Sequence, residues 1–189
     1  MKTKNIVLAL TIMLSGSTMF AQKAEVNTEK SSVEWLGKKI GGQHEGNIQI
    51  KSGNLELKGD QIVAGNFVID MTSITNTDLK DESYNQKLVG HLKSDDFFGV
   101  EAFPTANFVV TKSSDFSNGT ATLTGDLTIK GNKESISFDV VKAGNAYTAK
   151  IEIDRSKFDI RYGSNSFFDN LGDKAIEDNF TLNIKLNII

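Results

Sequence analysis

The chain holds two histidines, His44 and His91, two arginines, Arg155 and Arg161, and no cysteine. The histidines stand far apart and form no HxH or HxxxH pair, so no local spacing for a metal ion exists. Sharing a metal with Glu45 or Asp95 would require the fold to bring distant groups together. Structural or mouth-lining roles account for both rings more simply. Asp95-Asp96 could serve as paired carboxylates for acid–base work, yet an Asp pair beside a helix reads better as a cap. Arg155 and Arg161 flank Phe158 and could grip an anionic or carbonyl head group. An ion pair with a neighbouring Asp is the competing role. There is no GxSxG motif, phosphate-cradling glycine loop or nucleotide fingerprint. The lack of cysteine removes disulfides, thiol catalysis, thiolate zinc sites and a lipid-modified N-terminal cysteine. Neither an enzyme nor a cofactor is signalled.

The elements that must carry these residues show a period of two. Ala121, Leu123, Gly125, Leu127 and Ile129 alternate with Thr122, Thr124, Asp126 and Thr128. Ile136, Phe138 and Val140 follow the same rule, as do Tyr147, Ala149, Ile151 and Ile153, and Phe180, Leu182, Ile184, Leu186 and Ile188. Successive strand residues face opposite sides, so each run predicts a strand with one apolar and one polar face. Upstream, Gly46–Lys51, Gly53–Lys58, Gln61–Met71 and Thr105–Lys112 read the same way, for about eight strands. Asn118-Gly119, Gly131-Asn132 and Gly144-Asn145 sit between runs at hairpin spacing. One stretch breaks the rule. From Asp81 to Leu92, Tyr84, Leu88 and Leu92 recur every four residues, which predicts a helix with one apolar face. Residues 161–179 form a second irregular stretch.

The first residues read as a signal peptide, 1–21, with 22–189 as one domain. Lys2 and Lys4 precede an apolar run, Ile6 to Leu14, then small residues and Ala21 before Gln22. The run is too short to span a bilayer as a helix. Cleavage would take the formal net charge from −3 to about −5. No basic stripe is present, so nucleic acid is not an expected partner. The expected location is periplasmic or secreted.

An open sheet with one apolar face needs a cover, and one or two short helices cannot supply it. Closing the sheet on itself covers that face and removes the edges. The expected fold is therefore all-β, an extended antiparallel barrel. Eight strands enclose either packed side chains or one small ligand. Gly65, Ala106, Ala121, Gly125 and Ala149 are small inward positions. They leave volume for a ligand or lie opposite large residues in a filled core, and composition alone keeps both readings open.

Several blocks together resemble the YceI-like family of exported lipid-binding proteins. They are Ser32-Val33-Glu34-Trp35, Gly42-Gln43-His44-Glu45-Gly46, Gly65-Asn66-Phe67-Val68-Ile69-Asp70-Met71, His91 to Phe98 and Phe103 to Phe108. Gly125 to Gly131 and Asp154-Arg155-Ser156-Lys157-Phe158 follow in order. Gly99-Val100 and Val89-Gly90 depart from the family pattern. The resemblance implies a lipocalin-like barrel enclosing a polyisoprenoid or similar amphiphile, such as a long-chain isoprenoid or fatty-acyl ligand.

Candidate ligand-binding residues follow from both readings. Phe67, Ile69, Phe108, Val110, Leu123, Leu127 and Ile151 point inward from strands, and Phe158 lies between the arginines. Phe97, Phe98, Phe167 and Phe168 sit in the two irregular stretches and are expected at the entrance. Phe138 and Phe180 read as plain core. His91, Arg155 and Tyr162 are the candidates for polar contact with a head group. A barrel enzyme using His91, Asp95 or Arg155, a structural module and an outer-membrane barrel are the rival readings. Homodimer formation is left open.

Overall fold

The computed structural model describes residues 21–189. The expected signal peptide, apart from Ala21, lies outside the described residues.

Nine antiparallel strands form one sheet. They are β1 (Gln22–Glu25), β2 (Ser32–Lys39), β3 (Gly42–Lys58), β4 (Gln61–Asp70), β5 (Thr105–Ser113), β6 (Thr120–Ile129), β7 (Asn132–Ala143), β8 (Ala146–Asp154) and β9 (Ile176–Asn187). The order is β1-β3-β2-β9-β8-β7-β6-β5-β4, and β4 also pairs with β3. That last pairing closes the sheet into a barrel. β3 achieves it by changing partners along its length. Gly42–Ile48 pairs with β2, while Gln49–Lys58 pairs with β4. The short β1 covers the second half of β3 on the side that β2 leaves bare. β1 and β2 thus share one position in the wall, which has eight.

The count of eight agrees with the sequence pattern, but the members differ. The runs ending at Lys51 and starting at Gly53 are one strand, interrupted by a bulge between Ile50 and Ser52. A bulge inserts one residue and shifts the phase of alternation, so one strand reads as two. β2 escaped the pattern because the partly buried Leu36 and Gly37 blur its alternation.

Inside and outside are assigned unambiguously. Leu123 and Leu127 are buried in the barrel, whereas Thr122 is exposed and hydrogen-bonds Asp139 across the strands at 2.7 Å. Apolar side chains fill the interior and charged ones cover the outer face, the inverse of a transmembrane barrel. Among the described residues no helix is long and apolar enough to cross a membrane.

Two long connections leave the same rim. The β4–β5 connection carries the one α-helix among the described residues, α1 (Glu82–Lys93). The Asp81 side chain caps it by accepting from the Tyr84 N–H. Asp95 and Asp96 instead follow the helix end, where Ser94 is the C-cap. Of the apolar trio, Leu92 is buried and Leu88 packs on the core, but Tyr84 is 64% exposed. The segment before α1 is stitched to β3. Thr75 and Thr77 N–H groups donate to Asn47 and Glu45 carbonyls at 3.0 and 2.9 Å. Asp78 accepts from the Glu45 N–H at 3.0 Å and contacts His44 Nδ1 at 2.8 Å. Buried Asn76 donates to Asp78, and Asn85 of α1 donates to the Asn76 carbonyl at 3.0 Å. Burial alone would raise the Asp78 carboxyl, but the Glu45 N–H, His44 and Asn76 outweigh it and hold it at about 2.

Two outcomes are expected. Leu123→Asp abolishes folding, because an unpaired buried charge costs several kcal/mol. Exposed Thr148→Glu, opposite Lys185, stays within about 0.5 kcal/mol. Equal melting shifts would mean that the faces are reversed. The depressed Asp78 carboxyl contributes stability that is full above about pH 4 and is lost as pH falls towards 2. The stability gap between the parent and Asp78→Asn should therefore narrow over that window in acid unfolding, and a pH-independent gap would contradict it.

Candidate binding cavity

Two packed clusters occupy the barrel, one towards each end. Near the rim that bears the long connections lie Met71, Ile74, Leu92, Phe97, Ile129, Ile153 and Phe158. Towards the other end lie Val33, Leu55, Ile62, Val110, Ala121, Val140 and Tyr147. Ile48, Ile69, Phe108, Phe138, Ala149, Leu182 and Ile184 are only partly buried and touch both clusters. All seven line a cavity of about 200 Å³. The barrel is therefore filled at each end and open in the middle. The cavity's surface is almost wholly apolar, with Tyr147, Arg155 and Glu177 its only titratable side chains among the described residues.

The candidate residues divide by position. Phe67, Ile69, Phe97, Phe98, Phe108, Leu123, Leu127, Ile151 and Arg155 line the cavity. Val110 and Phe158 do not; each is buried in an end cluster. Phe167 and Phe168 lie on the surface, 38% and 50% exposed, away from the cavity, with the Arg161 guanidinium 5.0 Å from the Phe167 ring centre. His91 and Tyr162 are also outside it. Their rings meet edge to face at 4.3 Å, and His91 lies 5.8 Å from Phe97. This aromatic contact ties α1 to the β8–β9 connection. Phe138 and Phe180, read from sequence as plain core, line the cavity. So do Trp35 and Ile48, whose strand positions were blurred by Leu36 or split by the bulge.

Arg155 is a different group from the one the sequence suggested. Its side chain is 2% exposed. Nε donates to the Glu177 carbonyl at 3.2 Å, and NH1 donates to the Ile160 and Tyr162 carbonyls at 2.8 and 2.9 Å. NH2 donates to the Ile176 carbonyl at 3.1 Å and sits 3.3 Å from Asp178 Oδ1, although not aligned for a hydrogen bond. Its planar fork thus holds the turn at 155–162 against the start of β9, with four of its five donors on backbone carbonyls and the fifth beside Asp178. Its carbon frame covers Phe97, with the guanidinium 5.4 Å from the ring centre. Arg161 is paired at the surface with Asp159 at 2.5 Å.

The small inward residues also behave differently from one another. A Cβ at Gly125 would meet the Val109 carbonyl oxygen at 2.5 Å and the Phe108 ring closer still. Gly125 therefore leaves no spare volume; it exists so that Phe108 can lie across the sheet. At Gly65 the Leu55 and Val110 side chains crowd in at 2.9 and 3.0 Å. Ala149 and Ala106 do face the cavity. The wall has one weak junction. β7 and β8 pair only from Val140 with Ala149 to Ala143 with Ala146, so Ile136 and Phe138 face Ile151 and Ile153 across an unladdered stretch. Among the described residues no group of three or more metal-ligating side chains comes together.

A closed eight-position barrel with an apolar central cavity and a helix on one long connection is the arrangement expected of the resemblance. The YceI-like domain matches residues 25–188. The chain belongs to the YceI-like family. An uncharacterised-family (UPF0312) protein of Shewanella denitrificans is 49% identical over 41 residues, a match that spans 22% of the length of each chain. Two solved structures share the fold of this YceI-like chain closely. The Burkholderia cenocepacia protein BcnA is 23% identical, with a TM-score of 0.67, covering 87% of this chain and 99% of its own. A polyisoprenoid binding domain from Saccharophagus degradans, implicated in plant cell wall breakdown, is 14% identical at a TM-score of 0.63, with 87% and 97% covered. At these identities the likeness establishes the fold alone.

Replacing Arg155 with Met should lower stability by about 3–5 kcal/mol, because four carbonyls lose their partner. Thermal unfolding reads this. A melting point within a degree or two of the parent's would show that the network is dispensable.

Proposed function

We propose that this chain is an exported carrier that encloses one long-chain amphiphile, of isoprenoid or fatty-acyl type, for storage or transport. The central apolar cavity, closed off by packed side chains at both ends, is the observation that carries this reading. Since one water-sized group needs at least roughly 10–15 Å³, the space takes at most about fifteen such groups. Burying that many methylenes contributes about 12 kcal/mol gross. Association costs of at least about 4 kcal/mol leave at most roughly 8, so micromolar binding is the upper bound. The similarity in fold to a polyisoprenoid binding domain supports the same class of ligand.

The enzyme reading fares less well. Its candidate base, His91, lies outside the cavity, and the donors of Arg155 are occupied by backbone. A binding protein needs neither group free. The signal-like segment 1–21 supports export to the periplasm or beyond.

Ala149 faces the cavity from β8 with open space before it, so Ala149→Phe should fill the cavity while leaving the wall intact. Mass spectrometry of the organic extract should find one long-chain compound per parent chain and little with the variant. Circular dichroism checks that the variant stays folded. Equal ligand content in the two folded proteins would place the ligand elsewhere.

A further inference from the structure

The cavity has an apolar wall and one conspicuous polar defect. Tyr147 is 1% exposed and lines the cavity, and its hydroxyl has no hydrogen-bond partner. A buried hydroxyl without a partner is costly, and native cores rarely keep one without a reason. Beside it, towards the solvent, stands the ammonium of Lys142, whose side chain is 23% exposed and does not itself line the cavity. Lys142 on β7 is the register partner of Tyr147 on β8, so both side chains project to the same face of the sheet. Lys142 Nζ lies 6.0 Å from the centre of the Tyr147 ring and 5.9 Å from that of Phe116. It is close enough to bear on the phenol's proton affinity, yet the two make no well-aligned hydrogen bond. Its one hydrogen-bond partner, Asp60 Oδ1 at 2.6 Å, belongs to the β3–β4 hairpin and has a side chain 87% exposed. An ammonium has three donors, so Lys142 holds two in reserve.

We propose that the head of the enclosed amphiphile is held at this end of the barrel, by Tyr147 Oη and Lys142 Nζ, and that it carries an oxygen acceptor such as a carboxylate. The proposal rests on the enclosed-chain reading above and adds an orientation and a head-group class to it. The alkyl chain then runs from the Tyr147 end through the middle of the barrel towards Phe97 and Arg155. The opposite end suits an acceptor head group less well, since Arg155 spends four donors on carbonyls and the other titratable residue there, Glu177, is itself acidic. A carboxylate between Tyr147 and Lys142 would satisfy the orphan hydroxyl and gain a charge-assisted bond. Exposed Asp60 gives way at little cost.

Trp35 is the only tryptophan and lines the cavity, so its fluorescence reports occupancy. Hexadecanoic acid and hexadecane, both delivered from cyclodextrin, serve as chain-matched probes with and without the head group. Tyr147→Phe and Lys142→Met should each weaken hexadecanoate binding roughly tenfold or more and leave hexadecane unchanged. Unliganded Tyr147→Phe should melt no lower than the parent, because it loses only an unsatisfied group. The proposal is overturned if both variants bind hexadecanoate as the parent does, or lose both probes equally. A parent that takes hexadecane but not hexadecanoate also overturns it while leaving the enclosed-chain reading intact. A parent that binds neither probe removes that reading, and this one with it.

Discussion

Everything in this molecule depends on β3 pairing with two different strands. An antiparallel sheet with one apolar face can fold over itself or recruit helices; this chain has too few helices for the second course. By holding β2 with its first half and β4 with its second, β3 joins the two ends of the sheet. The bulge at Lys51–Ser52 falls close to where β3 takes up β4. A bulge increases local twist and bends the strand, which is what turning a flat ribbon into a wall requires. Once closed, all inward side chains share one interior, and the sheet needs no further cover.

Closure also explains why an internal void can persist. In a helical core a void lets neighbours collapse into it, and the measured cost depends on how far they can. A barrel wall resists collapse because inward movement of one strand strains the ladders on either side. The clusters at the two ends supply the packing energy, and the ladders hold the middle open. A ligand bound there, as proposed above, would add stability by mass action. The rim that carries the long connections is fixed by polar bonds rather than by bulk. Arg155 gathers four carbonyls there, and the Asn76–Asp78–His44 set pins the segment before α1 to β3.

The architecture was legible in sequence because alternation is a direct image of a two-faced sheet. Legibility failed wherever one residue disturbed the phase. The bulge made β3 look like two strands, and Leu36 hid β2. The site was less legible, for a different reason. Period two states that Phe138 and Phe180 point inward, but not whether the space before them is filled, which depends on residues far away in sequence. Gly125 shows the converse, a small residue whose volume is taken by Phe108 from the neighbouring strand. For the polar candidates rarity was the only signal available; Arg155 does line the cavity, while His91 and Tyr162 lie off it. A lone Arg near a barrel mouth looks the same in sequence whether its donors face a ligand or the carbonyls of its own turn. The unpaired Tyr147 hydroxyl leaves no trace in sequence at all, since its meaning lies in what does not surround it.

A carrier of the proposed kind would have to open this sealed barrel to exchange its ligand. Opening the rim means breaking the hydrogen bonds of a buried guanidinium and the aromatic contacts between two connections. At the other end it means displacing Tyr147, Phe116 and the Lys142–Asp60 pair. The wall offers a third course. The β7–β8 junction carries the shortest ladder of the eight, four register pairs against six or more at every other junction of the barrel. Local opening draws on the elements with fewest hydrogen bonds to lose. The residues flanking that stretch, Ile136, Phe138, Ile151 and Ile153, already face the cavity. A chain passing between β7 and β8 would break little backbone pairing and meet apolar side chains throughout, whereas passage through either end must first dismantle a packed cluster.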